Sequence, residues 1–172
     1  MEVRVLRLAH RKERDKRLTT HCALISRALG ASRINYTGEK DAAFELSIRK
    51  VRAKWGGAFQ VRYSKGWERV VASAKRAGFK IVHLTMYGEP FESRQFNKNA
   101  KLLVVIGGSK VPRGVYDEAD YNLSVTNQPH SEAGALAVFL HSLSLRPRHA
   151  KWKSRIKPNA RGKNIRTRIK YK

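Results

Sequence analysis

The chain has 172 residues, 41% of them hydrophobic, and carries 37 Lys and Arg against 13 Asp and Glu, a formal net charge of +24. That length supports one packed domain with room for a tail. No apolar run reaches the roughly 18 residues of a membrane span, and the opening MEVRVLRLAHRKERDKR lacks the apolar stretch and cleavage site of a secretory signal. A single cysteine, Cys22, excludes an intrachain disulfide and fits a reducing, cytoplasmic setting. The scattered histidines form no zinc-site spacing, so no metal is expected. So large a positive charge opposes compaction unless a polyanion meets it. Nucleic acid is the expected partner, because neutralised phosphates release counterions. The basic stretches have no matching apolar face for a membrane surface.

In chain order, Glu2 to Leu8 alternates polar and apolar residues and predicts a strand. A basic cluster follows, Arg4, Arg7, Arg11, Lys12, Arg14, Lys16 and Arg17, diluted only by Glu2, Glu13 and Asp15. It reads as a loop at the domain edge, where binding groups concentrate. Arg7, Arg11, Lys12, Arg14 and Arg17 are accordingly candidate RNA-binding residues. A helix is then predicted from a cap at Thr19 or Thr20 to Gly30. Ser32 to Thr37 predicts a strand, and Lys40 to Trp55 a helix with Phe44, Ile48, Val51 and Trp55 on one face, stopped by Gly56-Gly57. Further elements are a strand from Ala58 to Val61, a helix from Trp67 to Ala77, and strands from Lys80 to Met86 and Lys101 to Ile106. A short helix at Val115 to Ala119, a strand at Tyr121 to Val125 and a helix at Ser131 to Ser144 complete the domain.

Strands alternate with helices, and Leu102 to Ile106 is apolar on both faces. The expectation is an α/β fold with a mostly parallel sheet covered by helices on both sides. The last helix is apolar nearly all round, which leaves burial in its own domain and a homodimer interface as equal alternatives. The domain is drawn at residues 1–145. Residues 146–172 hold 12 Lys and Arg and no Asp or Glu, and are expected to be a flexible basic tail unable to bury enough surface to fold alone. There Lys151, Lys153 and Arg155 are candidate RNA contacts, and Trp152 and Tyr171 can stack on exposed bases.

Three strand ends carry unusual residues: Leu84 to Glu89, Gly107 to Pro112 and Asn127 to Glu132. In a parallel sheet all three emerge on one side and can line one ligand pocket. The spacing matches neither a dinucleotide fingerprint nor a phosphate-binding loop.

The stretches RVLRLAHRKERDKRLTTHCALISRALGA, KIVHLTMYGE, KLLVVIGGSKVP and NLSVTNQPHSEAGALAVFL together resemble the archaeal tRNA cytidine-56 2′-O-methyltransferase family of the SPOUT superfamily. The resemblance runs from Val3 to Leu143, with the tail as its main departure. It implies a C-terminal deep trefoil knot, a homodimer, a T-loop cytidine of tRNA as substrate and S-adenosylmethionine as cofactor. The implied cofactor-binding residues are Leu84; Gly107, Gly108, Ser109, Lys110 and Val111; and Val125, Thr126, Asn127, Gln128, Pro129, His130, Ser131 and Glu132. Methyl transfer to a ribose 2′-oxygen requires in-line positioning and loss of the hydroxyl proton. Candidate catalytic residues on the basic segment are Arg14, Arg17 and His21. Arginine is a poor base, so a phosphate held by Arg14 or Arg17, or His21 itself, is the expected acceptor. Counting back from Gly30, the places where related ribose methyltransferases carry Asn and Arg hold Leu18 and Leu24 here. Two alternatives remain open: a non-enzymatic basic RNA-binding protein, and another RNA methyltransferase of the same fold.

Overall fold

A computed structural model describes residues 1–108, 110–145 and 153–167. Six strands form one sheet: β1 (Glu2–His10), β2 (Arg33–Gly38), β3 (Gln60–Tyr63), β4 (Lys80–Pro90), β5 (Lys101–Ile106) and β6 (Tyr121–Ser124). Their spatial order is β3-β2-β1-β5-β4-β6, with every neighbouring pair parallel. Parallel strands need crossovers, and the helices supply them. These are α1 (Lys12–Ala28), α2 (Ala42–Trp55), α3 (Trp67–Arg76), α4 (Arg113–Glu118) and α5 (Glu132–Ser142).

Alternation along the central strands divides the core. Val3, Val5, Val82, Leu102, Val104 and Ile106 face a layer built from α1, α2 and α5, including Cys22, Phe44, Ile48, Leu136 and Phe139. Leu6, Leu8, Ile81, Leu103 and Val105 face Val71 and Ala74 of α3 and Val115 of α4. The expected parallel sheet with helices on both faces is therefore present. Each fully buried Leu, Ile or Val contributes about 1.5–3 kcal/mol, which makes the twice-covered β5 the centre of stability.

The first helix departs from expectation. It begins at Lys12, so the basic segment read as a loop is its first two turns. Asp15 explains the early start: its Oδ2 accepts from the backbone N–H of Arg11 at 3.2 Å and from Arg11 Nε at 3.1 Å, bracketing the first turn. Glu13 and Asp15 also complement the helix dipole there. Thr19 is consequently no cap. It is buried with Asp15, Cys22, Ala23 and Ser26 on the inner face, while Arg14, Arg17 and His21 lie exposed on the other.

β4 continues to Pro90, four residues past its expected end, but its pairing with β6 breaks between Leu84 and Glu89, so residues 85–88 bulge from the sheet. Within the segment expected as a flexible tail, β7 (Ser154–Ile156) and β8 (Ile165–Thr167) form an antiparallel hairpin. It is joined to the end of α2 by Lys153 N–H donating to the Trp55 carbonyl at 3.3 Å and Ser154 Oγ–H to the Lys54 carbonyl at 3.2 Å. Free carbonyls at a helix C-terminus attract donors and positive charge alike, which gives this short basic hairpin its support. Half of the apolar α5 is accounted for within the domain: Ala135, Leu136, Phe139 and Leu140 are buried, whereas Val138 is 47% exposed.

Candidate functional site

The three loops singled out by sequence converge. A cleft of about 340 Å³ opens at the carboxyl ends of β4, β5 and β6, and each loop supplies part of its wall. Leu84, Thr85, Met86 and Tyr87 come from the β4 bulge; Ile106, Gly107, Gly108 and Val111 follow β5; Pro129, His130, Glu132 and Ala135 lead into α5. His83 and Tyr116 complete the lining. Two glycines shape it. A Cβ on Gly88 would lie 2.5 Å from the Asn122 carbonyl oxygen, so the bulge can press against β6 only as glycine. A Cβ on Gly107 would lie 2.7 Å from Val111 Cγ2 and 3.2 Å from Leu8 Cδ1, so the turn after β5 can pack against these two side chains only as glycine.

Of the residues predicted to hold the cofactor, Leu84, Gly107, Gly108, Val111, Pro129, His130 and Glu132 line this cleft. Asn127 supports it, since its Nδ2 donates to the carbonyls of Met86 at 2.7 Å and Gly88 at 3.2 Å and so ties the third loop to the first. Ser131 caps α5 by accepting from Ala133 N–H at 3.1 Å. Lys110, Val125, Thr126 and Gln128 are not among the lining residues, and Ser109 lies outside the described residues.

Sequence reasoning missed a buried ionic network beneath the cleft. Arg7, a candidate RNA contact, is 2% exposed. Its guanidinium lies 3.6 Å from Glu132 and 3.9 Å from Asp15, and donates to the Leu8 carbonyl. Arg7 thus offers no surface to RNA; it joins the end of β1 to the first turns of α1 and α5. Burial opposes charge on Asp15, but its hydrogen bond from Arg11 and the nearby Arg7 and Arg11 charges outweigh that and hold its carboxyl below the ordinary value. A second network, also missed, buries His10, whose ring nitrogens lie 2.8 Å from Thr19 Oγ1 and 3.2 Å from Asp41 Oδ2. Burial pushes the Cys22 thiol up to about 12, so it is no nucleophile.

The other candidate RNA-binding groups are accessible: Arg11 at the N-cap of α1, Lys12, Arg14 and Arg17 on that helix, and Lys153 and Arg155 at the hairpin. Lys151 lies outside the described residues, as do Trp152 and Tyr171. Arg14, Arg17 and His21, at helical spacing, form one exposed stripe on α1. That helix packs against α5, whose first turn lines the cleft. The floor residue His83 was also missed. Its one sequence signal is a polar residue set within the apolar run IVHL.

Comparison with known proteins connects this geometry to a family. Residues 55–166 match the family described as tRNA ribose 2′-O-methyltransferase, aTrm56. The tRNA (cytidine(56)-2′-O)-methyltransferase of Methanothermobacter thermautotrophicus is 47% identical over 146 residues, covering 83% of this chain and 82% of its own. That of Thermococcus kodakarensis is 44% identical over 173 residues, covering 95% and 96%. The chain belongs to the archaeal tRNA (cytidine-56) 2′-O-methyltransferase family. The match to this family reaches residue 166, which corrects the expectation that the shared pattern stops before the tail. The SpoU methyltransferase AviRb from Streptomyces viridochromogenes, solved in complex with AdoMet, shares the fold with a TM-score of 0.65 at 17% identity. The alignment covers 83% of this chain and 56% of AviRb, so the chain spans little more than half of that neighbour. The A. aeolicus TrmH/SpoU tRNA modifying enzyme aligns with a TM-score of 0.64 at 16% identity, over 83% and 73%.

Proposed function

We propose that this protein transfers the methyl group of S-adenosylmethionine to the ribose 2′-oxygen of cytidine-56 in the T-loop of tRNA. The observation that carries the reading is the convergence of three strand-end loops on one cleft in a member of this family. The lining fits the donor: Gly107 and Gly108 give backbone that a flat base can approach, and Leu84, Val111 and Pro129 keep water away. When bound, S-adenosylmethionine supplies an electrophilic methyl group.

The protein's own part is positioning and proton handling. Arg14 and Arg17 are assigned to hold phosphates near the target ribose, and Lys12, Lys153 and Arg155 to widen the contact with the tRNA backbone. For the hydroxyl proton, a phosphate held by Arg14 or Arg17 and the exposed His21 are joined by a third candidate from the fold, the Glu132 carboxylate on the cleft wall. Rate–pH profiles of His21→Ala and Glu132→Gln separate these choices, because the acceptor works only deprotonated and its loss alone removes the fall in rate toward acid pH.

The same reading includes a deep trefoil knot near the C-terminus. It is supported by β4 lying between β5 and β6, though it precedes both in the chain; an experimental backbone trace through residues 84–145 decides it. It also includes a homodimer formed through the outward face of α5. Val138→Lys there should reduce the mass in light scattering to that of one chain. We place the reaction in the cytoplasm, on tRNA, with no membrane partner; no helix among the described residues is long and apolar enough to cross a membrane.

The deciding experiment is digestion and mass mapping of unmodified tRNA after incubation with S-adenosylmethionine. A single added methyl on the ribose of cytidine-56 is expected. A methyl on a base or on another nucleotide would leave the fold's chemistry intact but refute this target, and no methylation of any RNA would favour a binding protein.

A further inference from the structure

Among the residues that line the cleft, His83 carries a hydrogen-bond acceptor with no donor among the described residues. His83 is 0% exposed, and its Nδ1 lies 2.8 Å from Asn122 Oδ1. Asn122 Nδ2 donates to the Tyr116 carbonyl at 3.0 Å, and this assigns the amide orientation. Oδ1 is therefore the atom facing the imidazole, and as an oxygen it can only accept. The ring proton must sit on Nδ1. Burial favours the neutral ring and pulls its pKa below 6.5, with the Asn122 contact opposing. At neutral pH Nε2 is then a bare lone pair. It is buried and has no hydrogen-bond partner among the described residues.

The ring cannot turn to relieve this. Tyr116 packs edge-on against it, with centroids 4.6 Å apart at 88°, and rotation would break the Asn122 bond. Leaving a buried acceptor unpaired costs about 1–3 kcal/mol, so the position is explained if a ligand supplies an N–H or O–H. S-adenosylmethionine has three kinds of donor: an ammonium, ribose hydroxyls and the adenine amino group. The charged ammonium is strongly hydrated and is disfavoured against an uncharged wall. The uncharged floor, set among Leu84, Ile106 and Tyr116, suits the edge of a flat heteroaromatic ring.

Resting on the donor-cleft reading above, we propose that His83 Nε2 accepts a hydrogen bond from the adenine 6-amino group and makes the cleft specific for adenine. Asn122 acts as a positioning residue that sets the tautomer.

The test is calorimetric binding of S-adenosylhomocysteine and of S-inosylhomocysteine, in which an oxygen replaces the 6-amino group. The wild-type protein should prefer the amino compound by at least about 100-fold, since a site built around a donor rejects an analogue that presents an acceptor. In His83→Phe the preference should fall below about tenfold. A second measurement needs no variant. In ¹⁵N-histidine-labelled wild-type protein, the unprotonated Nε2 resonance of His83 should move on adding S-adenosylhomocysteine. Binding of neither compound overturns the donor-cleft reading and this inference with it. Tight wild-type binding with an unmoved Nε2 resonance, or full discrimination retained in His83→Phe, overturns this inference alone.

Discussion

Arg7 and Glu132 meet at 3.6 Å, binding the end of the first strand to the first turn of the last helix across more than a hundred residues of chain. One partner is fully buried, while the Glu132 side chain keeps 20% exposure at the cleft. Replacing Arg7 by Met keeps the bulk but strands a carboxylate, so a loss of roughly 2–4 kcal/mol in urea unfolding is expected. Glu132→Gln should cost less, and the double variant less than the sum, with a coupling of about 1 kcal/mol or more. Strict additivity would show that the two side chains act independently.

Gly88 sets the shape of the β4 bulge. Gly88→Ala would place a methyl group 2.5 Å from the Asn122 carbonyl oxygen and 2.7 Å from the Leu123 carbonyl carbon, both rigid backbone. A stability loss of about 1–3 kcal/mol follows from the forced shift. Because the bulge walls the cleft, affinity for S-adenosylhomocysteine should fall at least tenfold in calorimetry. An unaltered melting temperature and affinity would mean that the bulge is free to move.

Asp41 links stability to pH. Its Oδ1 caps α2 by accepting from Phe44 N–H at 2.9 Å, and its Oδ2 contacts His10. Burial raises its pKa, but the Phe44 bond and the contact with His10 more than offset that, leaving it below 3.8. A depressed carboxyl stabilises the fold fully above the unfolded value and loses that contribution as pH falls through the folded one. Asp41→Asn should keep the cap yet make acid unfolding below pH 3.8 shallower, as followed by circular dichroism. Asp41→Ala should cost about 1–2 kcal/mol at neutral pH. An acid limb unchanged in Asp41→Asn would assign it to other carboxylates.

The hairpin presents Lys153 and Arg155 to solvent. If both meet phosphates, neutralising them together should make the plot of log affinity for tRNA against log salt shallower by about 2, at one unit per lost contact. Affinity for S-adenosylhomocysteine should not change. A salt slope equal to that of the wild-type protein would remove the hairpin from the interface.

Sequence alone determined the element order as far as α5, the parallel α/β architecture and the three loops that meet at one edge of the sheet. Those signals are local: hydrophobic period, the apolar run of β5, and glycines at strand ends. The same logic failed at α1, where seven basic residues among the first seventeen looked like a loop. What makes that stretch helical is Asp15 on the buried side, and its role depends on Arg7 arriving from β1. Tertiary structure alone decided that Arg7 is buried rather than RNA-facing, that His83 Nε2 has no hydrogen-bond partner among the described residues, and that residues 154–167 find support on α2. Each of these depends on which distant groups become neighbours, and a charge or an imidazole reads the same in sequence whether water or protein surrounds it.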